Sequence, residues 1–255
     1  MSLYDWVKRR DGSIADQSAG TADYFSLSPT RWSLYQALSP RMPTVLRGRC
    51  LDAGAGRSAF AMMAESYVDE YIAMDVQIRP WLDAAGSVLD LPLRSESLDS
   101  ILCLQVLEHV TDPQRALYEF ARCLKPGGAL LLSVPHLAYL HNEPHDYFRY
   151  TKHGLRVLLE KADFEIVEIA PAGGLLSFLG HIPSMLVKAI SYPFGGLKRA
   201  AFYLNAKYAK TVAWIDAHIE KRKLFALNYV VIAKKPVYNS PARERRHGFV
   251  ESDPK

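Results

Sequence analysis

The chain has 255 residues, which at roughly 100–200 residues per domain fits one large domain or one domain with a substantial addition. Hydrophobic residues make up 49% and charged residues 23%, so collagen-like, coiled-coil and wholly disordered architectures are excluded and a sizeable core is expected. The net charge of +4 is too mild by itself to argue for nucleic-acid binding, and no nucleic-acid partner is expected.

Cys50, Cys103 and Cys123 each lie within an apolar stretch and read as reduced thiols packed in a core. Met1 to Arg10 carries charges and no long apolar run, so a cytoplasmic location is expected. Residues 1–46 read as an irregular, partly helical lead-in, with a polar loop from Asp11 to Asp23 and then a helical spacing from Pro29 to Leu38.

From about Gly48 short apolar runs alternate with amphipathic stretches, the pattern of βα units around a parallel sheet. Strands are predicted at about 48–53, 68–74, 86–89, 98–104 and 128–134, and helices near 57–66, 113–123 and 151–162. Asp112-Pro113 opens one helix, and Lys125-Pro126-Gly127-Gly128 ends it. Two more strand-like runs, Phe164 to Ile169 and Leu227 to Ala233, stand more than fifty residues apart, and Pro236 closes the second. The fold class is doubly wound α/β. Residues 236–255 are polar and read as a mobile tail.

The segment that carries chemistry is Asp52-Ala53-Gly54-Ala55-Gly56-Arg57-Ser58-Ala59, where a strand runs through two glycines into a helix. Glycine there admits positive φ and lets a ligand approach the backbone. The string also satisfies the dinucleotide fingerprint, with Asp75 about 20 residues on as the ribose carboxylate. Asp75 serves an adenosine ribose in either cofactor class. Asp52 discriminates, because a carboxylate at that place repels a pyrophosphate but suits a nucleoside bearing an ammonium and a sulfonium. Arg57 argues weakly the other way. In Val88-Leu89-Asp90-Leu91-Pro92 a carboxylate ends the third strand, and the Asp90 side chain with the Leu91 amide could meet an adenine edge.

Asp52-x-Gly54-x-Gly56, Asp75, Asp90-Leu91-Pro92, Leu98-Asp99 through Gln105-Val106-Leu107-Glu108-His109-Val110, and Leu124-Lys125-Pro126-Gly127-Gly128 together resemble the class I S-adenosylmethionine-dependent methyltransferases, type 11 group, over about residues 46–170. The resemblance implies a seven-stranded, mostly parallel sheet with a reversed last strand, so that 164–169 and 227–233 pair. It implies a methyltransferase domain over 47–235 and S-adenosylmethionine as cofactor. Asp52, Ala53, Gly54 and Gly56 would line the methionine moiety, Asp75 the ribose, Asp90 and Leu91 the adenine, and Gln105 the sulfonium. The family's frequent third glycine is Ser58 here, whose hydroxyl is expected to cap the following helix.

After the fifth strand, residues 134–150 are dense in functional groups. The expected proton acceptors are His145 and His136, with Tyr147 and Arg149 positioning the methyl acceptor. The alternative is that His145 and Asp146 cap a helix while the aromatic residues pack the loop down. Zinc on His136, His141, His145 and Asp146 matches no spacing with known mechanics, so no metal is expected. His109 is expected to pack against the end of the fourth strand.

Residues 170–224 read as a helical insertion or lid before the last strand. Ile169 to Val187 lacks charge, but Pro171, Gly173, Gly174, Gly180 and Pro183 argue against a membrane span. Leu204, Tyr208, Val212, Ile215 and Ile219 repeat at helical spacing among Lys198, Arg199, Lys207 and Lys210, giving a basic amphipathic helix. Such a helix packs over the core or rests on an anionic membrane. The function expected is methyl transfer to a small-molecule or lipid-linked acceptor. The rivals are a non-catalytic S-adenosylmethionine-binding partner protein and an NAD-dependent oxidoreductase.

Overall fold

The computed structural model describes residues 3–19, 21–219 and 224–237. In chain order the elements are α1 (Leu3–Ser18), α2 (Ala22–Phe25), α3 (Pro29–Leu38), α4 (Met42–Val45), β1 (Arg49–Ala53), α5 (Ala61–Glu65), β2 (Glu70–Asp75), β3 (Ala84–Ala85) and β4 (Leu98–Leu104). A single 3-10 turn (Leu107–His109) precedes α6 (Pro113–Cys123), β5 (Leu124–Pro135), α7 (Lys152–Lys161), β6 (Glu165–Ala172), α8 (Leu175–Ser191), α9 (Gly195–Ile219) and β7 (Asn228–Lys234).

The strands form one sheet in the order β3-β2-β1-β4-β5-β7-β6, parallel except for β7, which runs antiparallel to both neighbours. The doubly wound class and the pairing of the two distant runs therefore hold. Strand order reverses between β1 and β4, so the segments leaving their carboxyl ends stand side by side, where ligands bind in open α/β sheets. β1, β4 and β5 are buried on both faces, as a parallel sheet sandwiched by helices requires. Leu51, Leu130 and Leu132 pack with Leu117, Phe120, Leu155 and Leu159. On the opposite face Cys50, Leu102, Leu131 and Val230 meet Phe25, Leu38, Met42 and Phe60.

Several expectations are corrected. Asp11 to Ser18 lies within α1, not in a loop. The reason is tertiary: Asp11 is buried against Lys188 of α8 and Arg31 of α3. The third strand is Ala84–Ala85, and 86–89 is a turn closed by an isolated bridge from Ser87 to Asp90. The first helix after β1 is only Ala61–Glu65, because Ser58 takes φ +51° and holds the chain in a turn. Ser58 caps nothing: its hydroxyl is buried without a hydrogen-bond partner.

The insertion is two long helices, α8 and α9, packed on each other and on α3, with α1 against α8. The apolar repeat expected on one face of α9 is only partly turned inward: Leu204 is 63% exposed and Ile219 71%, while Val212 and Ile215 are half-buried. The buried face is Ala201, Asn205, Ala209, Ala213 and Asp216. At Gly180 of α8 a Cβ would come within 2.9 Å of the Tyr208 hydroxyl and 3.1 Å of Val212, so these two members of the repeat do meet α8. Polar contacts join the insertion to the lead-in: Ser184 Oγ and Asn205 Nδ2 both donate to the Leu27 carbonyl, at 2.9 and 3.0 Å, and Ser33 and Ser177 share a hydrogen bond of 3.1 Å. Residues 238–255, which include most of the expected tail, and 220–223 lie outside the described residues.

Candidate active site

Gly54 and Gly56 adopt φ of +79° and +52°, the left-handed region expected of this turn. The two glycines have different reasons. A Cβ on Gly54 would sit 2.5 Å from Val106, so this position is kept bare by the segment after β4. At Gly56 the nearest atoms to a Cβ are 3.9 Å away, which leaves the open space a ligand needs above the backbone. Asp75 ends β2 and fastens the turn. Its Oδ2 accepts the Gly56 N–H at 3.0 Å and its Oδ1 accepts the Gln77 N–H at 2.9 Å.

Asp52 is buried beneath this turn, accepts a hydrogen bond from the Tyr71 hydroxyl, and is pushed up to about 7 by burial, with the Asp75 charge adding to the effect. A cation arriving above it would favour its ionised form. Arg57, the group that spoke for a phosphate, is held by Asp16 of α1. The donor set of the turn thus fits a cationic nucleoside better than a pyrophosphate.

The adenine expectation is corrected in part. Asp90 is exposed at the mouth of the β3 loop, but the Leu91 amide already donates to Glu119 Oε2 at 2.8 Å and Leu91 itself is buried. Glu119 is in turn clamped by Arg122, so this amide is part of the framework. Gln105 stands at φ +58° just past β4, and its side-chain amide donates to Ser133 Oγ of β5 at 3.1 Å.

The 136–150 segment leaves β5 at the same sheet edge and forms no helix, so the capping alternative for His145 and Asp146 does not hold. The expected substrate-positioning role of Arg149 is also corrected. Its guanidinium donates to both Asp146 oxygens at 2.6 and 2.8 Å and to the carbonyls of Ala138, Tyr139 and Phe148, which uses all five N–H groups. Arg149 is the clasp of this loop. The same pair holds the Asp146 carboxyl well below the usual carboxylate range.

His136 is half-buried beside Tyr229, and its Nδ1 donates to the Tyr150 carbonyl at 2.9 Å, which leaves a lone pair on Nε2. His145 is exposed, and its Nδ1 shares a hydrogen bond of 2.9 Å with the Tyr147 hydroxyl. Tyr139 links the loop to α8 through His181, at 3.1 Å. Burial pushes His181 down to about 4, so that imidazole is neutral at physiological pH.

One grouping was missed in the sequence. Glu108, in the turn after β4, is fully buried with neither oxygen hydrogen-bonded, and burial pushes it up to about 8. His109 and His141 stand over it, their rings 4.9 Å apart and edge to face. The available signal was a lone glutamate directly before a histidine in an otherwise apolar run.

A glycine turn at the switch point of a doubly wound sheet, flanked by two carboxylates, is where Rossmann-like folds take nucleoside ligands. Residues 51–132 match the family model described as a methyltransferase domain, type 11. That segment is therefore similar to the methyltransferase domains of this family. A protein of Mycolicibacterium smegmatis named as a probable S-adenosylmethionine-dependent methyltransferase is 34% identical over 110 residues, 40% of this chain and 42% of the relative. A ubiquinone biosynthesis O-methyltransferase of Xanthomonas oryzae is 48% identical over 49 residues, 19% of this chain and 20% of its own length. The chain thus spans less than half the length of these curated relatives. Among solved structures, a phosphoethanolamine N-methyltransferase of Haemonchus contortus in complex with S-adenosyl-L-methionine matches with a TM-score of 0.58 at 17% identity, over 92% of this chain and 60% of that one, a likeness of fold.

Proposed function

We propose that this protein transfers the methyl group of S-adenosylmethionine to a small-molecule or lipid-linked acceptor bound between the 136–150 loop and the α8–α9 insertion. The observation that carries the reading is the glycine turn flanked by Asp52 and Asp75, with the Arg57 guanidinium held by Asp16. The cofactor supplies an electrophilic methyl on a sulfonium, and the protein's part is to hold it in line with the acceptor and to take the acceptor's proton. His136, with Nε2 unprotonated, and the exposed His145 are the groups able to take it. Tyr147 orients His145 through their shared hydrogen bond.

Calorimetry with S-adenosylmethionine and its demethylated product tests this reading, and failure to bind either refutes it. The pH dependence has a definite sign. Asp52 holds its proton up to about 7, and a nearby sulfonium favours the carboxylate, so binding expels that proton at lower pH. Affinity for S-adenosylmethionine is expected to rise about tenfold between pH 6 and 8. The product, which lacks the sulfonium, should show a flatter profile, and Asp52→Asn should flatten both.

The insertion suggests where the acceptor comes from. Leu179, Leu204, Trp214 and Ile219 are each more than half exposed on α8 and α9. Lys198, Arg199, Lys207 and Lys210 lie on the same helix α9, whose one acid among the described residues, Asp216, is buried and accepts the Leu176 and Ser177 amides at the start of α8. Apolar side chains beside these cations suit an anionic lipid surface. No helix among the described residues is long and apolar enough to cross a membrane. The protein is expected to sediment with phosphatidylglycerol-containing vesicles and not with pure phosphatidylcholine, and Leu179→Asp with Leu204→Asp should reduce the bound fraction about tenfold. Equal sedimentation with both vesicle types, or with neither, favours a soluble acceptor.

A further inference from the structure

We infer that Glu108, His109 and His141 form a divalent transition-metal site, with Zn2+ the ion that suits it, at the end of β4. One donor atom from each of the three lies within 4.8 Å of the others. Glu108 Oε1 is 3.8 Å from His109 Nε2 and 4.0 Å from His141 Nε2. Donors about 2.0–2.2 Å from a shared tetrahedral zinc stand roughly 3.4 Å apart, so a small side-chain movement closes the set.

Three further observations point to an ion. The Glu108 carboxyl is fully buried and neither oxygen has a hydrogen-bond partner, a cost that a native interior seldom carries without a ligand. The guanidinium of Arg149, the cation nearest in chemistry to a partner for it, has every donor engaged elsewhere. Both imidazoles are also held in one orientation. His109 Nδ1 donates to the His145 carbonyl at 2.5 Å, and His141 Nδ1 donates to the Tyr139 carbonyl at 3.1 Å with Asp146 at 3.5 Å. Each leaves its Nε2 lone pair facing Glu108, which is how a histidine is prepared to ligate. The other polar contact at His109 Nε2 is Asn142 Nδ2, at 3.5 Å.

Two imidazoles and one carboxylate make an open three-ligand set of the kind that catalytic zinc uses, with a fourth position for water or substrate. Its role in catalysis rests on the proposed methyl transfer. A hydroxyl of the acceptor in the fourth position would lose its proton more readily to the histidine that serves as base in the proposed transfer. The alkoxide or phenolate oxygen then forms the bond to the methyl carbon as the carbon–sulfur bond breaks, and its electron pair returns to sulfur. Val106, two residues before Glu108, stands against Gly54, which sets this position near the glycine turn.

The test is titration of chelator-stripped full-length protein with zinc chloride, followed by calorimetry, and by the visible spectrum of the cobalt form. One ion per chain is expected, with affinity reduced about 100-fold in both Glu108→Gln and His141→Ala and the cobalt absorption changed in each. His141→Ala, in a partly exposed loop, provides the test if Glu108→Gln fails to fold. Absence of zinc and cobalt binding, or binding unaltered in the folded variants, overturns the site. S-adenosylmethionine affinity measured on the same samples separates the two proposals: zinc binding without cofactor binding defeats methyl transfer and leaves the metal site standing.

Discussion

Asp75→Ala is expected to weaken S-adenosylmethionine binding by about 100-fold. The carboxylate has two tasks. It accepts the Gly56 and Gln77 amides, which holds the glycine turn open, and in the proposed reading its remaining lone pairs accept two ribose hydroxyls. Hydrogen bonds to a charged group contribute roughly 1.5–3 kcal/mol each, and two at the lower limit give about 3 kcal/mol, or two decades in affinity. Asp75→Asn keeps an acceptor for Gly56 and should lie between the two, near tenfold. Calorimetry, with circular dichroism as the control for folding, measures both. An alanine variant that binds within about threefold of the parent places the ribose away from this side chain.

The second large effect is on stability. Asp11→Ala should cost about 3–5 kcal/mol, because it leaves the buried Lys188 and the half-buried Arg31 without their shared counter-ion. His181 and the Tyr24 and Tyr139 hydroxyls are the other titratable groups facing this cluster. Burial pushes Lys188 down to about 8, well below its ordinary value, so the unfolded chain binds the extra proton above pH 8 and stability rises with pH through that window. Without Asp11 the lysine loses its proton at still lower pH. The deficit of the variant should therefore be larger at pH 6 than at pH 9. Denaturant melts at both values measure it, and Lys188→Met in the same background should recover part of the loss. An equal deficit at both pH values would show that the lysine charge is not its cause.

The fold was largely legible in the sequence wherever a local rule decides the outcome. β4 and α6 were placed residue for residue, β4 by an apolar run and α6 by the Asp112 cap, which accepts the Arg115 amide, with Pro113 behind it. Expectations failed where distant partners decide. α1 is held by Lys188, 177 positions away, and no local period announces it. β3 is two residues long and offers no alternation to detect. On α9 the repeat of large apolar side chains was visible, but much of the burial falls on Ala201, Ala209 and Ala213 beside it, which a count of large apolar residues does not single out. In the site, the glycine turn was readable because positive φ leaves a compositional trace. The Leu91 amide and the Arg149 guanidinium looked available because a sequence does not show that Glu119, and Asp146 with three carbonyls, consume them.

The position of β7 between β5 and β6 has a consequence for biosynthesis. The final strand of the sheet in chain order is an interior one, so until it emerges β5 and β6 face each other across a gap one strand wide, each with a row of unmet amides and carbonyls. A ribosome stalled within the insertion would carry a nascent chain with two sticky borders. The cell must shield such an intermediate until Asn228 to Lys234 arrives to close the seam.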